Sequence, residues 1–239
     1  MTISARVDLE PAYILHARSY RETSQIVEVF THVHGRMGFV ARGARRPKST
    51  YRGLLNPFQP LRVSWSGRGE LQTLRDAEMA GAAILLGGDS VLAGFYLNEL
   101  LIRFMHRNDP HPDLFLLYAQ TLDQLQTAAD VEPVLRRFEI GLLAEAGYAL
   151  NFATDAIRNE PLQAGLSYEY YPEQGPVEIT ASTQVGQSFS GAELLAIGRD
   201  DFADSDVRRA ARRLLRQVIN VHLGDKGLRT RKVAAAMKR

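Results

Sequence analysis

The first third of the chain alternates short runs of β-branched and aromatic residues with turn-forming residues. Such runs predict β-strands, and the glycine-containing segments between them predict tight turns and hairpin loops. Five short strands in about 70 residues are typical of a small closed barrel, which leaves no sheet edge exposed. The predicted strands cover residues 13–17, 26–31, 37–41, 61–65 and 71–74.

In the middle of the chain the apolar positions take the spacing of helices. Residues 90–106 are apolar on nearly all sides, which predicts a buried helix. The prolines in 109–112 end that helix, and we expect Asp113 to cap a second helix that runs to Gln126. Residues 131–148 predict a third helix. Three helices joined by short links predict a bundle.

The helical spacing is lost in residues 151–189, where glycines, prolines and alternating side chains predict a small β-hairpin inserted between helices. Ser190 begins a capping-box sequence for a short helix. We expect Asp204 to cap a long helix that stops at Gly224. The predicted class is therefore α+β. Its parts are a barrel in residues 1–80, a helical bundle in 81–150, the hairpin in 151–189, and C-terminal helices in 190–239 that pack on the bundle.

The formal net charge of +2 conceals an uneven distribution. Residues 1–80 hold 12 Lys and Arg against 7 Asp and Glu, residues 81–206 hold 6 against 19, and residues 207–239 hold 11 against 1. Basic ends around an acidic centre indicate a polyanionic partner, because Lys and Arg gain binding free energy by displacing condensed counterions. The alternative is a basic C-terminal tail that only aids solubility.

The long C-terminal helix is predicted to carry arginines along one face. At about 100° per residue, its apolar side chains from Ala211 to Val221 fall on one side and its arginines on the other. We expect the apolar side to pack on the bundle and the arginines to bind phosphate. The candidates are Arg209, Arg212, Arg213 and Arg216, in a row that begins at Arg208. The tail adds Lys226, Arg229, Arg231, Lys232, Lys238 and Arg239.

A second basic segment, residues 42–52, lies between the third and fourth predicted strands and combines five cations, two hydroxyl groups and one aromatic ring. Cations neutralise phosphates, hydroxyls donate to phosphate oxygens, and Tyr51 is predicted to stack on an unpaired base. A flexible basic loop without a ligand is the alternative. The candidates are Arg42, Arg45, Arg46, Lys48, Tyr51 and Arg52, and Arg18, Arg21 and Arg36 extend the patch from nearby strand ends.

Arg136 and Arg137 lie inside the third predicted helix, beside Phe138. One interpretation is two cations whose apolar stems cover the helix surface while their heads reach water. The other is a cationic groove with apolar flanks that binds an acidic peptide with hydrophobic residues. The sequence leaves both open.

No constellation of residues predicts an active site. Residues 43–49 fail as a phosphate-binding P-loop, because Pro47 stands where that motif needs a glycine. Neither His32 with His34 nor His106 with His111 has the further ligands of a metal site. The chain has no cysteine, which excludes a thiolate nucleophile and a thiolate metal site. We expect no enzymatic activity, no metal and no cofactor.

The N-terminus lacks the apolar stretch of a secretory signal. No run of residues approaches the roughly 18 apolar residues of a membrane span. We therefore expect a cytoplasmic protein without a membrane partner.

Blocks of residues along nearly the whole chain resemble the RecO family of DNA repair proteins. The N-terminal blocks are the most specific, and they cover residues 15–24, 29–36, 41–49 and 56–61. The later blocks cover residues 96–101, 135–143, 147–152, 210–214 and 228–231. The resemblance implies an N-terminal OB-fold barrel, a helical domain and a nucleoid-associated recombination mediator that hydrolyses no nucleotide.

The resemblance also implies partners. Such proteins bind single- and double-stranded DNA, anneal complementary strands, and work with RecR on DNA coated by single-stranded DNA-binding protein (SSB). They help RecA, an indirect partner, to replace that coat. We expect the acidic tail of SSB to dock near Arg136 and Arg137. The competing hypothesis is an OB-fold RNA-binding protein that takes no part in recombination.

Many members of the family carry a four-cysteine zinc module where residues 151–189 lie. This chain has no cysteine, so we do not expect it to have the zinc site of those family members. We expect the hairpin to be held by the packing of Tyr168, Tyr170, Tyr171 and Phe189 instead.

Overall fold

Five strands at the N-terminus form a closed barrel in the order β1-β2-β3-β5-β4. The computed structural model describes residues 5–180, 186–224 and 227–237. Neighbouring strands are antiparallel, except β3 and β5, which run parallel. The predicted five-stranded barrel is confirmed. Its strands are β1 (Ala5–Tyr20), β2 (Ser24–Thr31), β3 (Gly35–Ala41), β4 (Pro60–Gly67) and β5 (Leu71–Met79).

The barrel interior is filled by apolar side chains from all five strands. Val27, Val29 and Phe39 are fully buried, and the rings of Phe39 and Trp65 pack with their centroids 5.0 Å apart. A barrel of this size is just wide enough to be filled by its own side chains. Any ligand of this domain must therefore bind to its loops or its outer surface.

The predicted helices are confirmed, each with slightly different ends. The elements after the barrel are α1 (Asp89–Phe104), α2 (Pro112–Thr127), α3 (Val131–Glu145), β6 (Ser167–Tyr171), β7 (Gly175–Glu178), β8 (Ser188–Ser190), α4 (Gly191–Gly198), α5 (Ser205–Leu223) and α6 (Arg229–Met237).

Two of the three predicted helix caps are confirmed. Ser190 forms a full capping box with Glu193 at the start of α4, and Asp204 accepts a hydrogen bond from the backbone N–H of Asp206 at the start of α5. The prediction that Asp113 caps α2 is wrong, because His111 is the capping residue and makes no side-chain bond there. Asp113 lies in the first turn, where a negative charge complements the helix dipole.

The chain forms two compact units. Unit 1 comprises Met1–Ala129 and Leu228–Arg239, and thus the barrel, α1, α2 and α6; unit 2 comprises Asp130–Gly227, and thus α3, the small sheet, α4 and α5. Within unit 2, α5 packs against α3 and α4, whereas α6 packs against α1 in unit 1. The predicted domain boundaries in the sequence stay a prediction.

Helices α1 and α2 are fastened to the outside of β1 and β2. The side-chain amide of Asn98 in α1 donates to the carbonyl oxygen of Leu15 at 2.9 Å, and the buried Tyr118 hydroxyl of α2 donates to the Asn98 amide oxygen at 2.5 Å. The Phe115 ring of α2 packs against Tyr13 and Phe30. These contacts cover the outer surface of β1 and β2 in this region.

The small sheet has the strand order β7-β6-β8, and β6 with β7 forms the predicted hairpin. Tyr168, Tyr170 and Phe189 are at most 2% exposed, so three of the four aromatic residues hold the hairpin as predicted. The prediction for Tyr171 is wrong. Side chains alternate across a strand, and Tyr171 points to the solvent side, where its hydroxyl donates to Glu169.

A buried carboxylate also organises this region. Asp155 accepts hydrogen bonds from the backbone N–H groups of Ile157, Arg158 and Glu178 at 2.7–2.8 Å. Burial alone would raise the pKa of Asp155, but these three donors hold its pKa below the usual value. The charged side chain therefore ties the chain before the hairpin to β7.

Candidate nucleic-acid interface

Residues 42–52, called the basic loop from here on, follow β3 and fold as a series of tight turns. The backbone N–H of Arg46 donates to Gly43, that of Ser49 to Arg46 and that of Arg52 to Ser49, over 3.0–3.2 Å. Gly43 has a φ of 71°, which glycine adopts without steric cost. Ala44 and Tyr51 pack against the barrel core. The loop is thus anchored by its apolar side chains, and its cations face solvent.

The basic loop lies against the turn between β1 and β2. The backbone N–H of Arg45 donates to the carbonyl oxygen of Thr23 at 2.9 Å, and its guanidinium reaches the carbonyl oxygen of Glu22 at 3.4 Å. Arg21 lies in this turn, exposed, with its guanidinium 5.2 Å from the centroid of the Tyr20 ring. Arg18 is also exposed, near the end of β1. The cations of the basic loop and those near the β1–β2 turn therefore lie close together on the barrel surface.

The cations of the basic loop are exposed and not neutralised. Among the residues that the structure describes, no carboxylate forms an ion pair with any of them. Five positive charges on one short segment create a local positive potential that attracts polyanions. These residues are Arg42, Arg45, Arg46, Lys48 and Arg52.

Two residues predicted for this patch have other contacts. Tyr51 is half-buried against the barrel core, and its hydroxyl donates to the carbonyl oxygen of Leu74 at 3.2 Å. Burial raises the pKa of Tyr51. Arg36 donates to the carbonyl oxygen of Met105 at 3.0 Å and to Glu28 at 3.2 Å. Burial lowers the pKa of Arg36, with Glu28 opposing that shift. Both residues have structural contacts, and their predicted contact with DNA stays a prediction.

The outer face of β2 and β3, which OB-folds commonly use to bind oligonucleotides, is covered by the connection between α1 and α2. The backbone N–H of Asn108 donates to the carbonyl oxygen of Arg36 at 3.0 Å, and Arg107 forms an ion pair with Glu28. A Cβ atom on Gly35 would lie 1.9 Å from the carbonyl oxygen of Asp109. In this barrel, the exposed cations therefore lie on the basic loop, whereas the outer face of β2 and β3 is covered.

Helix α5 has the predicted two-sided character. Ala211, Leu214, Leu215 and Val218 are fully buried, although Val221 is half exposed, contrary to the prediction. Arg209, Arg212, Arg213 and Arg216 lie on the exposed side. The tail cations Arg229, Arg231 and Lys232 lie in α6, and Lys226, Lys238 and Arg239 lie outside the described residues.

Unlike the basic loop, the α5 arginines have acidic partners. Arg209 pairs with Asp206 at 3.0 Å, Arg208 with Asp130 at 3.6 Å, and Arg212 with Glu132. Arg213 lies 4.0 Å from Glu193, and its guanidinium is 5.2 Å from the centroid of the Phe189 ring. Arg216 alone of the row makes no ion pair with another described residue. Asp130 and Glu132 could not be recognised as partners from the sequence, because nothing in the sequence indicates that the start of α3 faces α5.

Arg136 and Arg137 do not form a shared cationic groove. Arg136 is 8% exposed and pairs with the fully buried Glu139 at 3.0 Å, so neither of the two interpretations of its role holds. Arg137 is partly exposed, donates to both oxygens of Asp200 at 2.7–2.9 Å, and lies 5.7 Å from the centroid of the Phe202 ring. Of the two, Arg137 alone is accessible to a peptide.

Among the described residues there is no group of three or more side chains that could hold a metal ion. Within the same ranges, no helix is long and apolar enough to cross a membrane.

Comparison with known proteins identifies the family. The family model for the N-terminal part of recombination protein O matches residues 8–83, and the model for its C-terminal part matches residues 87–232. The DNA repair protein RecO of Nitrosospira multiformis is 46% identical over 229 residues, which are 95% of each chain. That of Azoarcus sp. is 43% identical over 236 residues, which are 98% of this chain and 97% of the relative. This chain therefore belongs to the RecO family of DNA repair proteins.

Proposed function

We propose that this protein is a non-enzymatic recombination mediator that binds DNA through its backbone phosphates. The observation that carries the proposal is the basic loop, whose five cations are exposed and have no acidic partner among the described residues. Contacts of Arg and Lys with phosphate position a protein on DNA without reading its sequence. Arg18 and Arg21 extend the proposed surface along the β1–β2 turn. Arg36 and Tyr51 are left out of it because of their structural contacts.

The same surface would bind single- and double-stranded DNA. With the Tyr51 ring packed on the core, the loop offers cations and hydroxyl groups but no free aromatic ring. Phosphates are common to both forms of DNA, so a phosphate-binding loop discriminates little between them. Two complementary strands held against cations repel each other less, so such a protein can speed annealing without hydrolysing nucleotide.

The proposed partners follow from membership of the family. We propose that the protein acts with RecR on DNA coated by SSB and helps RecA to replace that coat. Its own contribution in this scheme is binding and strand positioning. In this proposal, the protein itself hydrolyses no nucleotide.

Annealing of complementary oligonucleotides coated by SSB tests the proposal. We expect the protein to speed annealing in the absence of nucleotide, and we expect higher salt to slow it, because phosphate contacts release counterions. Competition between DNA and RNA strands of equal sequence is the second measurement. A strong preference for RNA, or no annealing above the rate of the strands alone, would contradict a role in recombination and favour the RNA-binding alternative.

The proposed contact with SSB is tested at Arg137. The acidic tail of SSB would exchange with Asp200 on the Arg137 guanidinium, beside the Phe202 ring. Arg137→Glu is expected to weaken binding of a labelled tail peptide about tenfold, because it turns an attraction into a repulsion. Fluorescence anisotropy measures the affinity, and Arg199→Glu, at an exposed arginine of the same unit, is the matched control. Equal affinity of the wild type and the Arg137→Glu variant would remove Arg137 from the peptide site.

A further inference from the structure

A cleft with charges of both signs lies where α3 and α5 begin. Its volume is about 430 Å³. The lining residues are Asp130, Glu132, Ser205, Arg208, Arg209 and Arg212. Three guanidinium groups in one open cleft resemble an anion site in composition, but the carboxylates of the same cleft already contact two of them, those of Arg208 and Arg212.

Each of the two ion pairs in this cleft has one partner that is exposed to water. The side chains of Arg212 and Asp130 are 58% and 52% exposed, whereas those of their partners Glu132 and Arg208 are 25% and 26% exposed. Water and salt that reach one side of a pair screen its attraction, so such a pair contributes less to stability than a fully buried pair. An incoming anion can therefore reach Arg212 and compete with Glu132 for it.

Phosphate and carboxylate compete for the same groups on arginine. A guanidinium presents a planar fork of N–H donors that fits either oxyanion through two parallel hydrogen bonds. In this cleft, Glu132 pairs with one terminal nitrogen of Arg212. Asp130 is 3.6 Å from the Nε of Arg208, whose Nη1 also donates to two backbone carbonyl oxygens. A DNA phosphate therefore competes with Glu132 at Arg212 and with Asp130 at the Nε of Arg208.

We propose that Asp130 and Glu132 act as built-in competitors of DNA phosphates for the arginines of α5. The cleft is then a second polyanion site, whose affinity is reduced by its own carboxylates. Its affinity for DNA rises when these carboxylates lose their charge or move away from the arginines. This inference rests on the proposed function, because it takes the backbone of DNA as the ligand. The basic loop, which has no such competitors, would be the site that binds first.

Glu132→Gln is the variant that tests the inference. It removes the negative charge and keeps the shape of the side chain, so the competition at Arg212 falls. We expect the affinity for single-stranded and duplex oligonucleotides to rise about two- to fivefold, the factor that one exposed ion pair represents. The plot of log K against log[salt] should steepen by about 0.7 on single strands and about 0.9 on duplex, one phosphate contact more.

A double-mutant cycle separates competition from a purely structural ion pair. In the wild type, Arg212→Ala is expected to change the affinity by less than about twofold, because the arginine is already occupied. In the Glu132→Gln background, the same substitution should remove the entire gain. Glu160→Gln, an equal change of charge at an exposed residue of the same unit, is the control and should give no gain.

Three results would overturn the inference. They are an affinity of Glu132→Gln equal to that of the wild type, an equal gain from Glu160→Gln, and a large loss from Arg212→Ala in the wild type. Asp130→Asn provides a second variant, because asparagine caps a helix as well as aspartate does; it should give a gain in the same direction. If the wild type itself fails to bind DNA, the proposed function fails, whereas binding without any gain in the variants rejects only the role of the carboxylates.

Discussion

Replacing Arg45, Arg46 and Lys48 together by alanine is expected to lower the affinity for single-stranded DNA by about 100-fold at about 0.1 M salt. Each lost phosphate contact removes the release of about 0.7 counterion on single strands and about 0.9 on duplex. The slope of log K against log[salt] should therefore fall by about 2 on single strands and about 2.7 on duplex. Titration of a labelled oligonucleotide at several salt concentrations measures both quantities.

The triple substitution leaves the fold of the loop in place. The turn hydrogen bonds of residues 43–52 and the bond from Arg45 to Thr23 use backbone atoms, which alanine retains. The anchoring residues Ala44 and Tyr51 are untouched. Tyr51→Phe is a useful companion variant, because it removes only the hydroxyl that donates to Leu74. It should leave DNA affinity unchanged, because phenylalanine keeps the ring that packs on the core and the loop cations are untouched.

A second triple variant controls for the change in net charge. Arg6, Arg62 and Arg75 are exposed cations on the strands of the same barrel and outside the basic loop, although Arg75 follows Leu74, whose carbonyl oxygen accepts a hydrogen bond from the loop. Their replacement by alanine removes the same three charges and should reduce the salt slope much less. Equal losses in the two variants would mean that DNA responds to overall charge, and an unchanged slope in the loop variant would remove the loop from the interface.

The barrel could be predicted because its strands are short and rich in β-branched and aromatic residues, and such strands suit closure. The exception is the first half of β1. The strand begins at Ala5, but the prediction started at residue 13, because residues 5–12 include two acids and Pro11. Pairing of β1 with β4 is irregular between Val7 and Glu10, and Leu9 has a φ of 54°. A bulged strand breaks the two-residue repeat on which the prediction depends.

The basic loop could be predicted from its composition, because five cations in eleven residues need no tertiary information to stand out. The roles of individual side chains could not be predicted from the sequence. Tyr51 meets the core only because the loop folds back on the barrel, and Arg36 meets the carbonyl oxygen of Met105 only because α1 ends beside β3. Such contacts join residues far apart in the chain.

In helix α5 too, contacts with distant parts of the chain could not be predicted from the sequence. Its spacing predicted which side is buried and which carries arginine, since both follow from the helical repeat. The partners of those arginines come in part from the start of α3, where Asp130 is the N-cap residue and Glu132 lies in the first turn. Acidic residues are common at the start of helices for reasons unconnected with a neighbour. The compensation of charge is therefore a property of the fold that local sequence does not reveal.

The largest loss of stability is expected from breaking the buried ion pair of α3. Arg136 and Glu139 are one turn apart, and their side chains are 8% and 0% exposed. Glu139→Ala leaves the Arg136 guanidinium buried without its partner, and removal of one member of a buried pair costs about 3–5 kcal/mol. We expect the free energy of unfolding of unit 2 to fall by that amount. Urea denaturation followed by circular dichroism measures the loss.

Replacing both members distinguishes the cost of an isolated charge from a net benefit of the pair. Arg136→Met with Glu139→Leu fills the site with apolar side chains of similar length, and such replacements are often neutral or stabilising. The double variant should therefore be much more stable than Glu139→Ala alone. Arg137→Ala, which breaks the exposed pair with Asp200 on the same helix, should cost less than about 1 kcal/mol. If Glu139→Ala costs no more than Arg137→Ala, the α3 pair is not the buried support that its geometry indicates, and Arg136 returns as a candidate for the peptide site.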